Sequence, residues 1–362
     1  MRRVIVRLFF TLVGVALVGC SAPAAAPTSP PAPTQPAAAP AAAAKPTTTV
    51  RYGFSSAGAI NGPLYIAESM GFLAEQGITL DYVRFPSASE VIPSITRDDV
   101  DVAGVGLNPA TFNALAGNFG IKLVADTGTQ FPGFPLNVVV VGKELASTIK
   151  GPADLKGRKL AMTPPGLATA NGFVLAKYLK QANLTPNDVN IIPIAFPEQI
   201  AAVANGSVEA AIMAEPFATR AEQTGVATRL TSLDKVDPYQ QVAGIVYSDQ
   251  FIAQHRELAV KWMVAYLKAI RAYDAAFVKG QDKERIISIL AAKTDVKDPA
   301  MWREMIPAGL DPNGKLNMQS ITDAQAFFAQ LGQIQGTPDL APYIDTSFAE
   351  EAARILGPAT SD

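Results

Sequence analysis

Two stretches of this 362-residue chain predict its fold: RDDVDVAGVGLNP at residues 97–109 and NGSVEAAIMAEP at residues 205–216. In each, a polar turn leads into a short apolar run, and a loop that contains proline follows. This pattern is typical of a buried strand between two helices, and strands that alternate with helices form mostly parallel sheets. We therefore predict an α/β protein with two lobes, each a mostly parallel sheet flanked by helices, and a cleft between the lobes.

The sequence on either side continues the alternation of strands and helices. Residues 48–54 alternate apolar and polar side chains, and so do residues 78–82 after the helix-ending Gly77. From about Asp249 onward the pattern is helical, with large apolar residues at helical spacing that predict a buried face. Ser320, followed by an acid three residues later, predicts the start of a late helix.

Two extended apolar segments bracket the second stretch and predict the lobe boundaries. We interpret 136–142 and 241–248 as the hinge crossings. The first lobe would then comprise 50–135 and 249–362, and the second lobe 143–240.

The N-terminal region has the features of an export signal with a lipid attachment site. Basic residues precede a short apolar run that ends in Leu17-Val18-Gly19-Cys20, which predicts a signal peptide over 1–19 and lipidation of Cys20. The alternative is a transmembrane anchor, but the run is interrupted by Arg7 and is shorter than the ~20 residues that span a bilayer. Residues 20–49 are rich in Ala and Pro, a composition typical of an extended tether. We expect a lipid-anchored protein on the extracytoplasmic face of the membrane.

Composition argues against several classes of function. The formal net charge is −2, whereas nucleic-acid binding requires clustered basic residues. Cys20 is the single cysteine and His255 the single histidine, so a His-rich metal site cannot be built and no thiolate is left in the body for metal binding or catalysis. We therefore expect no enzymatic activity, no cofactor, no metal and no nucleic-acid partner.

The loops after the predicted strands are the expected place for a ligand. In open α/β sheets, ligands bind at the carboxyl ends of the strands, where helix N-termini also offer free N–H groups. The residues that we predict to bind a solute in these loops are Asn61, Ser87, Leu107, Asn108, Phe131, Asn137, Thr163, Gly166, Ala168, Thr169, Glu215 and Phe217.

Three spaced motifs resemble a known family. Residues 63–78 (PLYIAESMGFLAEQGI), 154–161 (DLKGRKLA) and 205–216 are similar to the nitrate/sulfonate/taurine class of ABC-transporter substrate-binding proteins, a class that also serves thiamine-pyrimidine precursors and riboflavin. The resemblance implies a type II periplasmic-binding-protein fold, a lipoprotein location, and delivery of a small solute to a membrane permease. We expect such a protein to act as a monomer.

The loops depart from what an oxyanion binder needs. Pro164 and Pro165 lack N–H donors, and the nearest cation, Arg84, lies just before a loop. Phenylalanines, asparagine amides and the Glu215 carboxylate instead suit a flat heteroaromatic solute, such as a thiamine-pyrimidine precursor or riboflavin. The alternatives are an alkanesulfonate, taurine or nitrate binder, and a lipid-anchored sensor that reports a solute to a partner protein. Fungal thiamine-pyrimidine synthases resemble the same fold, but that resemblance implies a Cys-rich stretch that this chain lacks.

Overall fold

The computed structural model describes residues 47–54, 59–85 and 88–359, which belong to one compact unit, Lys45–Asp362. The predicted signal, Cys20, nearly all of the tether and Ser87 lie outside the described residues. The predicted tether extends two residues too far, because Thr48 and Thr49 already pair with a neighbouring strand.

The strands begin and end close to where the alternation predicts. Those of the described residues are β1 (Thr48–Phe54), β2 (Ile78–Arg84), β3 (Val102–Gly106), β4 (Ile121–Thr129), β5 (Asn137–Gly142), β6 (Lys159–Met162), β7 (Asn190–Pro193), β8 (Ala210–Ala214), β9 (Ala227–Ser232) and β10 (Gln241–Ser248).

These strands form two five-stranded sheets of the same design. The first sheet has the order β2-β1-β3-β10-β4 and the second β7-β6-β8-β5-β9. In each, the first three strands pair in parallel and the fourth pairs antiparallel to both of its neighbours. Four of the five strands therefore point the same way, which confirms the predicted mostly parallel sheets.

The fourth strand of each sheet is the one that arrives from the other sheet. The segments predicted as crossings are these strands, because β5 lies within 136–142 and β10 is 241–248. The chain passes between the sheets at 130–136 and at 233–240 instead. We call these two segments the crossings.

The two stretches that predicted the fold occupy equivalent places. β3 and β8 are both third in their sheets. Just before β3, Asp101 accepts the backbone N–H of Arg51 at 2.7 Å and pairs with its guanidinium. Just before β8, Glu209 accepts the backbone N–H of Lys159 at 2.7 Å and pairs with Arg158. The same acid-to-neighbour bond fixes the register of the central strand in both halves.

Helices cover both faces of the sheets. They are α1 (Gly62–Ser69), α2 (Phe72–Glu75), α3 (Ala88–Thr96), α4 (Pro109–Ala116), α5 (Ala170–Lys180), α6 (Phe196–Ala204), α7 (Phe217–Gln223), α8 (Asp249–Phe277), α9 (Lys283–Lys293), α10 (Pro299–Glu304), α11 (Met318–Gln330) and α12 (Ser347–Leu356). Among the described residues, no helix is both long and apolar enough to cross a bilayer.

The longest helix, α8, carries the predicted buried face. Trp262, Tyr266, Ile270 and Tyr273 are each at most 1% exposed, and burying each of them contributes roughly 1.5–3 kcal/mol. They pack against the first sheet, where Trp262 stacks on Tyr52 with ring centroids 6.2 Å apart.

The start of α11 differs from the prediction. Asn317 is the N-cap, and its Oδ1 accepts the backbone N–H of Ser320 at 3.2 Å. The Ser320 hydroxyl instead accepts the backbone N–H of Gln241 at 2.9 Å. The spacing of Ser320 to the next acid resembles a capping box. Its hydroxyl instead joins α11 to the first residue of β10.

Candidate functional site

The carboxyl ends of the two sheets are joined by both crossings. β4 ends at Thr129 and β5 begins at Asn137, while β9 ends at Ser232 and β10 begins at Gln241. Asn137 lies opposite Ala214 at the end of β8, and Ala243 lies opposite Gly106 at the end of β3. The loops that follow the parallel strands of each sheet therefore lie at the edges from which the crossings leave.

The two crossings are bonded to each other and to the second-sheet helix α5. The Gln130 N–H donates to the Gln240 carbonyl at 2.9 Å, and the Tyr239 N–H donates to the Gln130 carbonyl at 2.7 Å. The Gln240 side chain donates to the Ala170 carbonyl at 2.9 Å, and the Leu136 N–H donates to the Gln130 side chain at 2.8 Å. Such a double connection allows hinge motion about a narrow region.

Asn61 is held in place from within the first sheet. The Tyr52 hydroxyl donates to Asn61 Oδ1 at 2.9 Å. Burial raises the pKa of Tyr52 far above its usual range, so the hydroxyl keeps its proton. Gly104 makes room for this bond, because a Cβ there would lie 2.5 Å from the Tyr52 oxygen.

The two predicted residues after β3 serve the fold of the first lobe. Leu107 is fully buried in a cluster with Phe112 and Phe328, so its side chain does not line a cleft. Asn108 caps α4, since its Oδ1 accepts the Thr111 N–H at 3.0 Å. Sequence spacing located this loop correctly but did not separate side chains that pack from those that face outward.

The loop between β6 and α5 brings four predicted residues together. The Thr169 hydroxyl donates to the Gly166 carbonyl at 2.8 Å and caps α5 by accepting the Gly172 N–H. Gly166 has φ +78°, a left-handed conformation that favours glycine, and its N–H donates to the Thr163 carbonyl. Ala168 is half-buried within the same loop.

Asn137 is a polar group without a hydrogen-bond partner for its side-chain oxygen. The residue is 5% exposed, and its Oδ1 bonds to no group among the described residues. A buried acceptor without a donor costs about 1–3 kcal/mol, which makes this oxygen a candidate contact for a hydrogen-bond donor.

Glu215 is part of an internal ion pair. Its carboxylate accepts the Thr219 hydroxyl at 2.7 Å and the Thr219 N–H at 3.2 Å, and it pairs with Arg229 Nη2 at 2.8 Å. The side chain is 3% exposed. The carboxylate is thus already satisfied, and this removes the reason to expect Glu215 to select an amine. Sequence analysis missed Arg229, because it lies on another strand.

Two rings form a platform at the carboxyl edge of the second sheet. Phe217 follows β8 and Phe196 follows β7, and their centroids are 5.9 Å apart with an interplanar angle of 18°. Both rings are half-buried. Stacked rings at a partly open edge offer a flat apolar surface.

Phe131 lines a pocket of about 330 Å³ whose described walls include none of the other predicted site residues. The walls of this pocket include Phe131, Tyr239, Tyr273, Asp274, Phe277 and Val278. We call it the crossing pocket, because Phe131 and Tyr239 belong to the two crossings.

A buried carboxylate that sequence analysis missed lies beside the crossings. Asp126, on β4, accepts the N–H groups of Gly128 and Asp311 at 2.8 Å each, as well as the side chains of Thr129 and Gln241. Burial raises its pKa to about 6, and these donors oppose the rise. No group of three or more His, Cys, Asp or Glu side chains among the described residues is arranged to hold a metal ion.

Comparison with known proteins gives a family match over most of the described chain. A model of the family described as NMT1/THI5 like matches residues 61–276. A putative aliphatic sulfonates-binding protein of Bacillus subtilis (strain 168) is 28% identical over 299 residues, which covers 80% of this chain and 84% of that protein. The riboflavin-binding protein RibY of Chloroflexus aurantiacus is 27% identical over 268 residues, which cover 72% of this chain and 71% of that protein. The chain spans only 58% of the length of a putative ABC transporter periplasmic binding protein of Brachyspira hyodysenteriae, at 27% identity over 210 residues and 55% of this chain.

Solved structures show the same fold. The periplasmic nitrate-binding protein NrtA from Synechocystis PCC 6803 has a TM-score of 0.68 at 18% identity, covering 86% of this chain and 90% of that one. The predicted two-lobed α/β fold is thereby confirmed. The desulfurization enzyme DSZB shares it with a TM-score of 0.59 at 18% identity, covering 85% of this chain and 99% of that one. The fold alone therefore does not distinguish binding from catalysis.

Proposed function

The chain belongs to the NMT1/THI5-like family, and from this we propose that it is a periplasmic solute-binding protein of an ABC importer. It would close its two lobes over a small organic solute and deliver that solute to a membrane permease. The observation that carries the proposal is the pair of carboxyl edges joined by two bonded crossings. This arrangement lets a solute be enclosed and released without chemical change.

The solute that the described cleft residues suit best is a flat heteroaromatic. The Phe196–Phe217 platform supports this choice, because an aromatic solute can stack on it. The unpartnered Asn137 oxygen suits a solute that has an N–H donor on its edge. Glu215 does not contribute to this preference, since Arg229 neutralises its charge.

An oxyanion such as a sulfonate, taurine or nitrate is the second candidate. It is favoured by one described group, Arg229, whose Nη1 is buried without a hydrogen-bond partner among the described residues and would donate to an oxygen of such a solute. Relatives of this chain are named as a sulfonate-binding and a riboflavin-binding protein, so they support either candidate.

Attachment and partners complete the proposal. We place the protein on the extracytoplasmic face, anchored through Cys20 and acting as a monomer. A lipid-anchored sensor for a partner protein is the remaining alternative. Deletion of the gene for the partner permease distinguishes the sensor from the transport protein. A sensor keeps its solute-dependent output without the permease, whereas a transport protein loses solute uptake.

The test is a thermal-shift screen of the purified full-length chain against riboflavin, thiamine-pyrimidine precursors, taurine, alkanesulfonates and nitrate. A solute at 100 times its Kd stabilises the folded state by about 2.7 kcal/mol. We expect a shift with a heteroaromatic that is lost in Phe217→Ala and kept in Phe119→Ala, a matched variant whose ring is 57% exposed. A shift with oxyanions alone would reject the flat-solute proposal and keep the importer.

A further inference from the structure

Two aromatic pairs contribute to the walls of the crossing pocket. Phe131 and Tyr239 meet edge to face with centroids 5.8 Å apart. Tyr273 and Phe277 are 4.6 Å apart at an angle of 43°. Ring faces carry negative potential and attract cations within about 6 Å. The Phe277 ring already has Lys283 Nζ at 5.9 Å from its centroid. The Phe131, Tyr239 and Tyr273 rings therefore carry the preference of this cavity for a positively charged occupant over an anion.

One charged side chain, Asp274, is among the residues described as lining the pocket. The other lining residues, including Pro307, Leu310 and Pro312, are mostly apolar. Burial, together with repulsion from Asp311 and Asp126, raises the pKa of Asp274 to about 7, and Lys279 opposes the rise. The carboxylate is thus held in a poorly solvated and negatively charged setting, where a cationic partner would lower the cost of its ionisation.

Tyr239, whose ring lies at the mouth of the pocket, has a strained backbone conformation. Tyr239 has φ +65° and is 51% exposed. Its N–H donates to the Gln130 carbonyl, and its carbonyl accepts the Asn317 side chain at 2.7 Å. A left-handed residue other than glycine costs about 1–3 kcal/mol and persists only where the surroundings impose it, most often at functional sites.

We propose that the crossing pocket is a second binding site, separate from the cleft, for a small organic ammonium ion with an apolar or aromatic body. The ammonium group lies against Asp274 and the body lies between the two ring pairs. A volume of about 330 Å³ is at the small end of ligand pockets. The proposal does not depend on which solute the cleft binds.

The test compares two ligands of nearly equal shape, phenethylamine and 2-phenylethanol, by isothermal titration calorimetry on the full chain at pH 8. We expect the amine to bind at least tenfold more tightly than the alcohol. The preference should disappear in Asp274→Asn, which keeps the shape of the side chain, and persist in Asp81→Asn, a change of an exposed acid on β2 at the opposite edge of the first sheet.

A second variant separates binding from folding. Tyr239→Ala removes a half-exposed ring from the mouth, and we expect it to weaken amine binding severalfold while the thermal unfolding midpoint changes little. Equal binding of amine and alcohol, an unchanged preference in Asp274→Asn, or no binding of the amine would each overturn the proposal.

Discussion

At the scale of single residues, the buried charge of Glu215 is fixed by a partner on a different element of the second lobe. Glu215 is held by Arg229 on β9, and Arg229 also pairs with Glu222 at 2.8 Å. Removing one partner of a buried pair is costly because the other charge stays buried and unpaired. The pair is therefore a structural feature of the second lobe that also sets the charge near Phe217.

Arg229→Met tests the structural role of this pair. We expect a loss of about 3–5 kcal/mol in the free energy of unfolding, since the carboxylate of Glu215 is left buried and unpaired. The double variant Glu215→Gln/Arg229→Met should recover a large part of the loss. Arg97→Ala, which breaks an ion pair whose side chains are 62% and 53% exposed, should cost less than about 1 kcal/mol. Urea denaturation measures all three, and equal losses in Arg229→Met and Arg97→Ala would contradict the assignment.

Asp126 predicts a dependence of stability on pH. Its pKa is raised to about 6 in the folded protein, so the folded state holds the proton more tightly than the unfolded state. The contribution of Asp126 to the free energy of unfolding is thus complete below about pH 4. It falls by about 3 kcal/mol as the pH rises through 6. The difference in unfolding free energy between the wild type and Asp126→Asn should change by this amount between pH 4 and 7. A constant difference would show that Asp126 does not titrate in this window.

At the scale of elements, helix α5 positions the loop that carries four of the predicted site residues. The start of the helix is in close contact with the loop, because a Cβ on Gly172 would lie 2.2 Å from the Leu167 carbonyl oxygen. The glycine thus lets the loop fold back over the first turn of α5. The loop and the helix form one unit.

Gly172→Ala should move this loop. We expect a loss of about 1–3 kcal/mol from overpacking and a weaker response to the cleft solute in the thermal-shift screen. Gly151→Ala is the matched control, because a Cβ there meets nothing within 4 Å. Unchanged solute binding in Gly172→Ala would show that the loop does not contact the solute.

The alternation of strands and helices was predictable from the sequence, and so was the equivalence of β3 and β8, because both depend on local periodicity. The crossings were predicted on the strands β5 and β10, but they lie in the segments just before these strands. An apolar extended segment has the same sequence pattern in a sheet and between two sheets. Asn317 was not predicted as the N-cap of α11, because Ser320 and the acid three residues after it match the capping-box pattern. The pairing of Arg229 with Glu215 was not predicted, because no sequence pattern indicates which residue of β9 lies beside Glu215 in the fold.

At the scale of the whole molecule, the two lobes touch beyond the crossings. Phe173 of α5 packs on Phe327 of α11 with centroids 5.6 Å apart. Lys177 of α5 also approaches Asp323 of α11 at 3.9 Å. These contacts join the second sheet's helix to the first lobe and favour the arrangement seen here.

Phe173→Ala should shift the lobes toward a more open arrangement. The ring is 4% exposed, and its removal costs the present arrangement about 2–4 kcal/mol in burial and ring contact. We expect a larger radius of gyration by small-angle X-ray scattering. Phe119→Ala should leave it unchanged, and an unchanged value in Phe173→Ala would show that the contact does not control opening.

The position of β10 has a consequence for the order in which the chain folds. β5 to β9 form a continuous stretch of sequence, so the second sheet can be completed as soon as β9 has been synthesised. The first sheet cannot, because β10 lies between β3 and β4 and is made last. Long-range pairing of this kind slows folding, and until it forms, β3 and β4 each expose an unpaired edge open to intermolecular pairing. The nascent first half is thus the part of this chain that most needs protection from aggregation during biosynthesis.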